Sequence, residues 1–178
     1  MPERIGIGFR WCKPAPRPSL DVSIYRVRSS CWPLFRPYHY MSADLVSNAS
    51  CWVLAIADRP AAFAAVIHFP HAVRRDIRRV HRVVTLPDWQ GLGLGMILIG
   101  KLGAAYRCRQ YELRIQTASA FFARTIDRSP DWQFVRRGYK GRWGLGLRFS
   151  AAGGNKWTIC FRFVGAADPT AARELLGD

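Results

Sequence analysis

Residues 83–100 read VVTLPDWQGLGLGMILIG, and the fold turns on how this stretch is parsed. Val83, Val84, Thr85 and Leu86 form a short apolar run that reads as the end of a strand. Pro87 closes it, because proline has no N–H to continue a ladder. Asp88, Trp89 and Gln90 lead into Gly91, Leu92, Gly93, Leu94 and Gly95, after which a helical pattern takes over. A strand, a glycine turn and a helix start gather several backbone N–H groups around one concave point. That point lies at the positive end of the helix dipole and suits a phosphate. Glycine lets the backbone approach a ligand without Cβ contacts and reach positive φ.

Three phosphate-binding patterns use such a turn. A P-loop ends in Gly-Lys-Ser/Thr, whereas Met96 follows Gly95 here and the nearest lysine is Lys101. A dinucleotide fold wants Gly-x-Gly-x-x-Gly on the first strand of its domain. Glu112 stands at the right remove for the ribose contact, but Met96 or Leu98 occupies the third glycine position, and several strands precede the turn. The third pattern is Gln/Arg-x-x-Gly-x-Gly/Ala after a strand ending Val-x-x-Pro. Here Gln90-Gly91-Leu92-Gly93-Leu94-Gly95 follows Val84-Thr85-Leu86-Pro87. This resembles the coenzyme A pyrophosphate loop of the GCN5-related N-acetyltransferase (GNAT) superfamily. The resemblance implies an α/β (α+β) fold, with a mixed, mostly antiparallel sheet of six or seven strands and about four flanking helices. Strands four and five splay apart in that fold.

The rest of the chain fits that order. Residues 1–19 hold four prolines among basic and aromatic residues and read as an extended arm. Residues 20–28 alternate as a first strand. The aromatic, proline-broken stretch 31–42 occupies the place of the family's first two helices, one wall of the acceptor cleft; it is also similar to a subgroup met in phage and other mobile genomes. Ser42 is a candidate cap for a short helix over 43–48. Residues 51–57 and 61–69 read as a hairpin, strands two and three, with a turn at Asp58-Arg59-Pro60. Arg74, Arg75, Arg78, Arg79 and Arg82 then read as a basic turn feeding strand four. Beyond the glycines, Leu94, Ile97, Leu98, Leu102 and Ala105 form a helical stripe, with Gly100 and Gly103 allowing close packing on the sheet. Residues 112–117 alternate as strand five, and Ser119 caps a helix from 120 to about 127. Residues 132–135 and 157–164 are the last strands, joined by a glycine- and arginine-rich loop over 136–156. The expected domain covers 20–165, with a tail over 166–178.

Composition bounds the partners. The 178 residues suffice for one domain, and 49% apolar content excludes wholesale disorder. A net charge of +15 attracts polyanions, so a nucleic-acid or ribonucleoprotein partner is an expectation. Cys12, Cys31, Cys51, Cys108 and Cys160 are widely spaced and form no C-x-x-C, which argues against a disulfide framework or a zinc site. No metal is expected. No window approaches a membrane span and the N-terminus lacks a signal-peptide core, so a cytoplasmic protein, alone or as a homodimer, is expected.

The resemblance implies acetyl transfer from acetyl-CoA to an amine. In the family, the pantetheine arm pairs with the edge of strand four, here Val83, Val84 and Thr85. Backbone N–H groups of Gln90, Gly91, Leu92, Gly93, Leu94 and Gly95 hold the pyrophosphate. The amine attacks as a free base, which calls for a carboxylate or imidazole within reach. Strand four offers no glutamate; His81, on the face expected to carry Arg79 and Val83, is the candidate base, with His68 and His39 behind it. The helix after strand five lacks the tyrosine that many members use on the leaving thiolate, and Ser119 is the candidate proton donor in its place. A second reading keeps the scaffold without turnover, as a basic nucleic-acid-binding protein using the arginines at 74–82.

Overall fold

The computed structural model describes residues 20–39, 44–139 and 157–177. Seven strands form one sheet in the order β1-β2-β3-β4-β5-β7-β6. They are β1 (Val22–Val27), β2 (Ser50–Ile56), β3 (Arg59–His68), β4 (Ile77–Thr85), β5 (Glu112–Thr117), β6 (Trp132–Tyr139) and β7 (Trp157–Phe163). Every neighbouring pair is antiparallel except β4 and β5, which run parallel. That one parallel pair needs a crossover, and helix α2 (Leu94–Cys108) supplies it.

One face of the sheet is covered by α2, α3 (Ala120–Asp127) and α4 (Pro169–Leu176). Leu94, Leu98, Ile99, Leu102, Ala105 and Tyr106 of α2 are buried there against Trp52, Leu54, Leu113 and Phe161. Ile97, expected in the stripe, is 42% exposed, and Ile99 takes its place. At 100° per residue, position 97 falls well outside the arc that 94, 98, 102 and 106 define. Gly103 packs as expected, since an added Cβ would stand 2.5 Å from the Phe163 ring. Gly100 does not, for nothing lies within 4 Å of its Cβ position.

The other face is covered only over its N-terminal half. A short helix, α1 (Trp32–Phe35), lies between the 3-10 turns Ser29–Cys31 and Arg36–Tyr38 and buries Trp32 and Phe35. These rings pack with Val53, Phe63, Ala65 and Val84, Phe35 stacking on Phe63 at 5.1 Å. The helix expected over 43–48 is absent from 44 onward, where Asp44 to Val46 are irregular and Ser47 and Asn48 form a turn. Asp, Val, Ser and Asn are poor helix formers, and the chain must extend into β2 at Ser50. Ser42 and Ala43 lie outside the described residues, as do the 1–19 arm and the loop over 140–156.

Three further differences concern boundaries. Of the basic cluster read as feeding strand four, Arg78, Arg79 and Arg82 belong to β4 itself, and only Arg74 and Arg75 stay in the connection. β6 extends through Arg136 and Arg137, which pair with Cys160 and Ile159. The segment expected as a tail carries α4, which Asp168 caps by accepting from Ala171 N at 3.0 Å. Trp52 Nε1 donates to the Leu175 carbonyl at 3.0 Å and ties α4 to the sheet.

Candidate functional site

The parallel ladder between β4 and β5 runs from Ile77 opposite Glu112 to Val80 opposite Ile115 and stops. Beyond that point β4 keeps only β3, with Val83 opposite Ala64, Val84 opposite Phe63 and Thr85 opposite Ala62. β5 keeps only β7, with Gln116 opposite Cys160 and Thr117 opposite Ile159. The strands therefore part as expected, and one edge of β4 from His81 to Thr85 faces a gap. A cleft of about 560 Å³ opens there.

His81 is the hinge of this split. Ala65 pairs with Arg82 while Val66 pairs with Val80, so His81 is the extra residue of a β-bulge. The bulge breaks the alternation expected for this strand. Val83 packs on the α2 side, while Arg79 and Arg82 stand on the α1 side, opposite Ile67 and Ala65. His81 lines the cleft, and its buried Nδ1 finds no hydrogen-bond partner among the described residues. Burial, then Arg82, Arg79 and His39, push its pKa down to about 4. The imidazole is therefore neutral at pH 7. His39 also lines the cleft, its ring edge-on to Trp32 at 5.8 Å. His68 lies elsewhere, its Nδ1 2.7 Å from Arg78 Nη1.

The glycine turn closes the other end of the cleft. Pro87–Trp89 forms a 3-10 turn in which the Gln90 N–H donates to the Pro87 carbonyl at 3.1 Å. The Gln90 side chain donates from Nε2 to the Thr85 carbonyl at 3.2 Å, bracing the turn against β4. Gly91 and Gly93 both hold positive φ, +84° and +76°, which explains glycine at these two positions. Among the described residues, no backbone carbonyl accepts from the amides of Gly91, Leu92, Gly93, Leu94 or Gly95. Gly95 sits against β4, its Cβ position 3.3 Å from Thr85 Oγ1. These five N–H groups stand at or just before the N-terminus of a 15-residue helix, the end whose dipole favours an anion.

Of the residues expected at the site, His81, Val83, Val84, Thr85, Gln90, Gly91, Gly93, Leu94, Gly95 and Ser119 all line the cleft. Leu92 does not, and its side chain is half exposed. Ser119 Oγ accepts from Phe122 N at 3.3 Å as the cap of α3. The cap uses a lone pair and leaves the hydroxyl hydrogen available to a partner in the cleft. Tyr38, from the stretch expected to wall the acceptor cleft, lines it as well, while sequence reasoning missed Gln116, Phe121 and Thr125, which also border it. Phe121 is signalled only by its place two residues after a capping serine.

A sequence model of the Acetyltransferase (GNAT) family matches residues 21–125. No curated protein sequence matches the chain. Among solved structures, it is similar to the ribosomal-protein-S18-alanine N-acetyltransferase of Escherichia coli, with TM-score 0.61 and 16% identity over 84% of this chain and 97% of that one. It is similar to a putative streptothricin acetyltransferase from Bacillus anthracis, determined with acetyl coenzyme A, with TM-score 0.59 and 9% identity over 82% and 99% of the two chains. It also resembles a Bacillus subtilis acetyltransferase determined with CoA, with TM-score 0.57 and 9% identity over 83% and 99%. The family match spans more than half of the sequence and includes both the split between β4 and β5 and the glycine turn, so the chain belongs to the acetyltransferase (GNAT) family and is an acetyltransferase.

Proposed function

We propose that this enzyme moves an acetyl group from acetyl-CoA to a primary amine by direct attack of the amine on the thioester. The single observation carrying this reading is the pairing of an open β4 edge with five uncommitted amides at the end of one cleft. The co-substrate supplies an activated acetyl carbon on sulfur. In our reading the amides of residues 91–95 hold its diphosphate, and the edge at Val83, Val84 and Thr85 pairs with the amide groups of its arm. An N–H on that edge also faces the carbonyl oxygen as negative charge develops there.

The amine must lose a proton as the C–N bond forms and the C–S bond breaks. His81, neutral above about pH 5, takes it directly or through a water. Ser119 Oγ–H donates to the departing sulfur. The thiols at Cys31, Cys51, Cys108 and Cys160 are free, which supports a reducing compartment, and we place the enzyme in the cytoplasm. Among the described residues, no helix is long and apolar enough to cross a membrane.

The test is calorimetric titration with acetyl-CoA followed by a screen of amines that reads release of the CoA thiol. Saturable binding with amine-dependent thiol release is expected. Binding without release from any amine would refute the assigned turnover, and no binding would refute the cradle.

A further inference from the structure

The cross-strand register places arginines side by side. Arg79 on β4 is opposite Arg114 on β5, and Arg114 is opposite Arg162 on β7. The three share the face that α1 covers only on its other half. Adjacent strands lie about 4.8 Å apart, so three cationic stems crowd into about 10 Å. Like charges directly opposite each other destabilise a sheet. Arg82 and the exposed Arg136 extend the same face.

Counter-charge is scarce. Glu112 takes Arg74 at 3.0 Å, Arg162 at 3.8 Å and Arg114 in closer contact, and Asp76 pairs with Arg74. Among the described residues, none lining the cleft is acidic. From residue 132 to 167 the sequence contains no Asp or Glu, and the segments outside the described residues carry only Glu3 and Asp178. Among the described residues, the row therefore holds more guanidinium than the carboxylate contacts of Glu112 neutralise.

The row leads into the cleft. Arg79 is two residues from His81, and Gln116, which borders the cleft, is two residues from Arg114. Two residues of strand are about 6.6 Å. Resting on the acetyl-transfer reading above, we propose that the acceptor is an acidic polypeptide segment, whose carboxylates dock on Arg79, Arg114 and Arg162 while its amine enters beside His81. Glu112 already displays the complementary group, a carboxylate shared among guanidinium forks of the row. A 10 Å row matches about three residues of extended peptide. Single-stranded nucleic acid is served by aromatic platforms between the cations. Here Gln116, Gln133, Thr158 and Cys160 flank the arginines, and the Phe69 ring lies under the Arg79 guanidinium at 4.9 Å. A carboxylate docked on Arg79 would also offset one of the two arginine charges that, after burial, weaken His81 as a base.

The experiment compares peptides of one length, each with a single α-amine followed by three acidic, three neutral or three basic residues. The acidic peptide should show kcat/KM at least tenfold above the neutral one, falling steeply with added salt. Arg162→Glu and, separately, Arg136→Glu should erase that preference through KM, with acetyl-CoA affinity unchanged. Arg136 is exposed, so its variant folds even where the other does not. Equal kcat/KM for acidic and neutral peptides overturns the proposal, as does a preference that survives both variants. Inhibition by a single-stranded oligonucleotide that both variants abolish, without any acidic-peptide preference, assigns the face to nucleic acid instead and also overturns it. No peptide turnover while a small amine is acetylated overturns it too, whereas failure to bind acetyl-CoA refutes the underlying reading.

Discussion

Replacing Gly93 by glutamate tests the anion cradle without disturbing the core. Gly93 holds φ +76° and ψ 11°, and nothing lies within 4 Å of a Cβ built there. The substitution therefore meets strain and charge rather than a clash. Holding an L-residue in this left-handed region costs about 1–2 kcal/mol. A carboxylate about 5 Å from a bound diphosphate adds about 3 kcal/mol per unit charge at an effective permittivity near 20. The repulsion alone weakens acetyl-CoA by at least about a hundredfold, since 1.4 kcal/mol is a factor of ten, while the strain falls on folding stability. The strain alone lowers Tm by only about 2–8 °C for a chain of this size. The control is Gly100→Ala in the same helix, where the added Cβ also meets nothing within 4 Å. Its φ is not in the left-handed region, so it should stabilise the helix by about 0.5–1 kcal/mol and leave binding alone. Calorimetry with acetyl-CoA and thermal unfolding report the two quantities separately. A Gly93→Glu protein that binds within threefold of the parent would refute the cradle, as would equal weakening by Gly100→Ala.

Gly103→Ala places a Cβ 2.5 Å from the Phe163 ring and should cost about 1–3 kcal/mol by denaturant unfolding. Phe163→Leu in the same chain should recover part of that loss if the contact is the cause. Trp52→Phe removes the donor to the Leu175 carbonyl and should cost about 1–3 kcal/mol, with faster amide exchange in α4 than elsewhere. For His81, the folded pKa of about 4 lies below the unfolded value of about 6.5. As pH falls from 6.5 to 4 the unfolded chain binds its proton first, so stability declines across that window and is not affected by this group above it. His81→Gln should flatten the decline in urea titrations at stepped pH; an unchanged slope would contradict the shift. In the same vein, kcat/KM should show no inflection from His81 between pH 5.5 and 8, only the rise that follows the acceptor amine.

What could be read from the chain tracks where local chemistry dominates. Pro87, the glycines at positive φ and the apolar positions 94, 98 and 102 each do one local job, and the strand–turn–helix follows from them. The hairpin of β2 and β3 was legible because both strands are buried on both faces and read as continuous apolar runs. The bulge at His81 was not. It depends on how β3 and β4 meet, and a single extra residue sends Val83 to the opposite face from Arg79. The arginine row was hidden for the same reason, since Arg79, Arg114 and Arg162 are far apart in sequence and only pairing aligns them. Helix α4 did carry a signal in Asp168-Pro169, an N-cap followed by proline at the first helical position, at the start of the stretch read as a tail.

The weakness of His81 as a base is consistent with the rest of the site. A lysine-like amine has a pKa of about 10.4, and a base of pKa about 4 cannot by itself hold the proton such a group gives up. The arginines that depress His81 act on the bound amine as well. Two unit charges about 8 Å apart interact by about 2 kcal/mol at an effective permittivity near 20, or about 1.5 pKa units. Arg79 and Arg82 together would bring the amine down by about 3 units, within reach of neutral pH. In the proposed reaction His81 then needs only to pass the proton on to solvent. The cost falls on binding, because the same field repels an ammonium arriving from water. An acceptor that brings its own carboxylates lowers that barrier by docking on Arg79, Arg114 and Arg162, which leaves Arg82 alone to act on the amine, by about 1.5 units. Burial first and the arginine charges after it make the base weak, and those same charges favour an acidic acceptor, so the peptide series should show its pH–rate rise at lower pH for the enzyme-bound amine than for the free peptide.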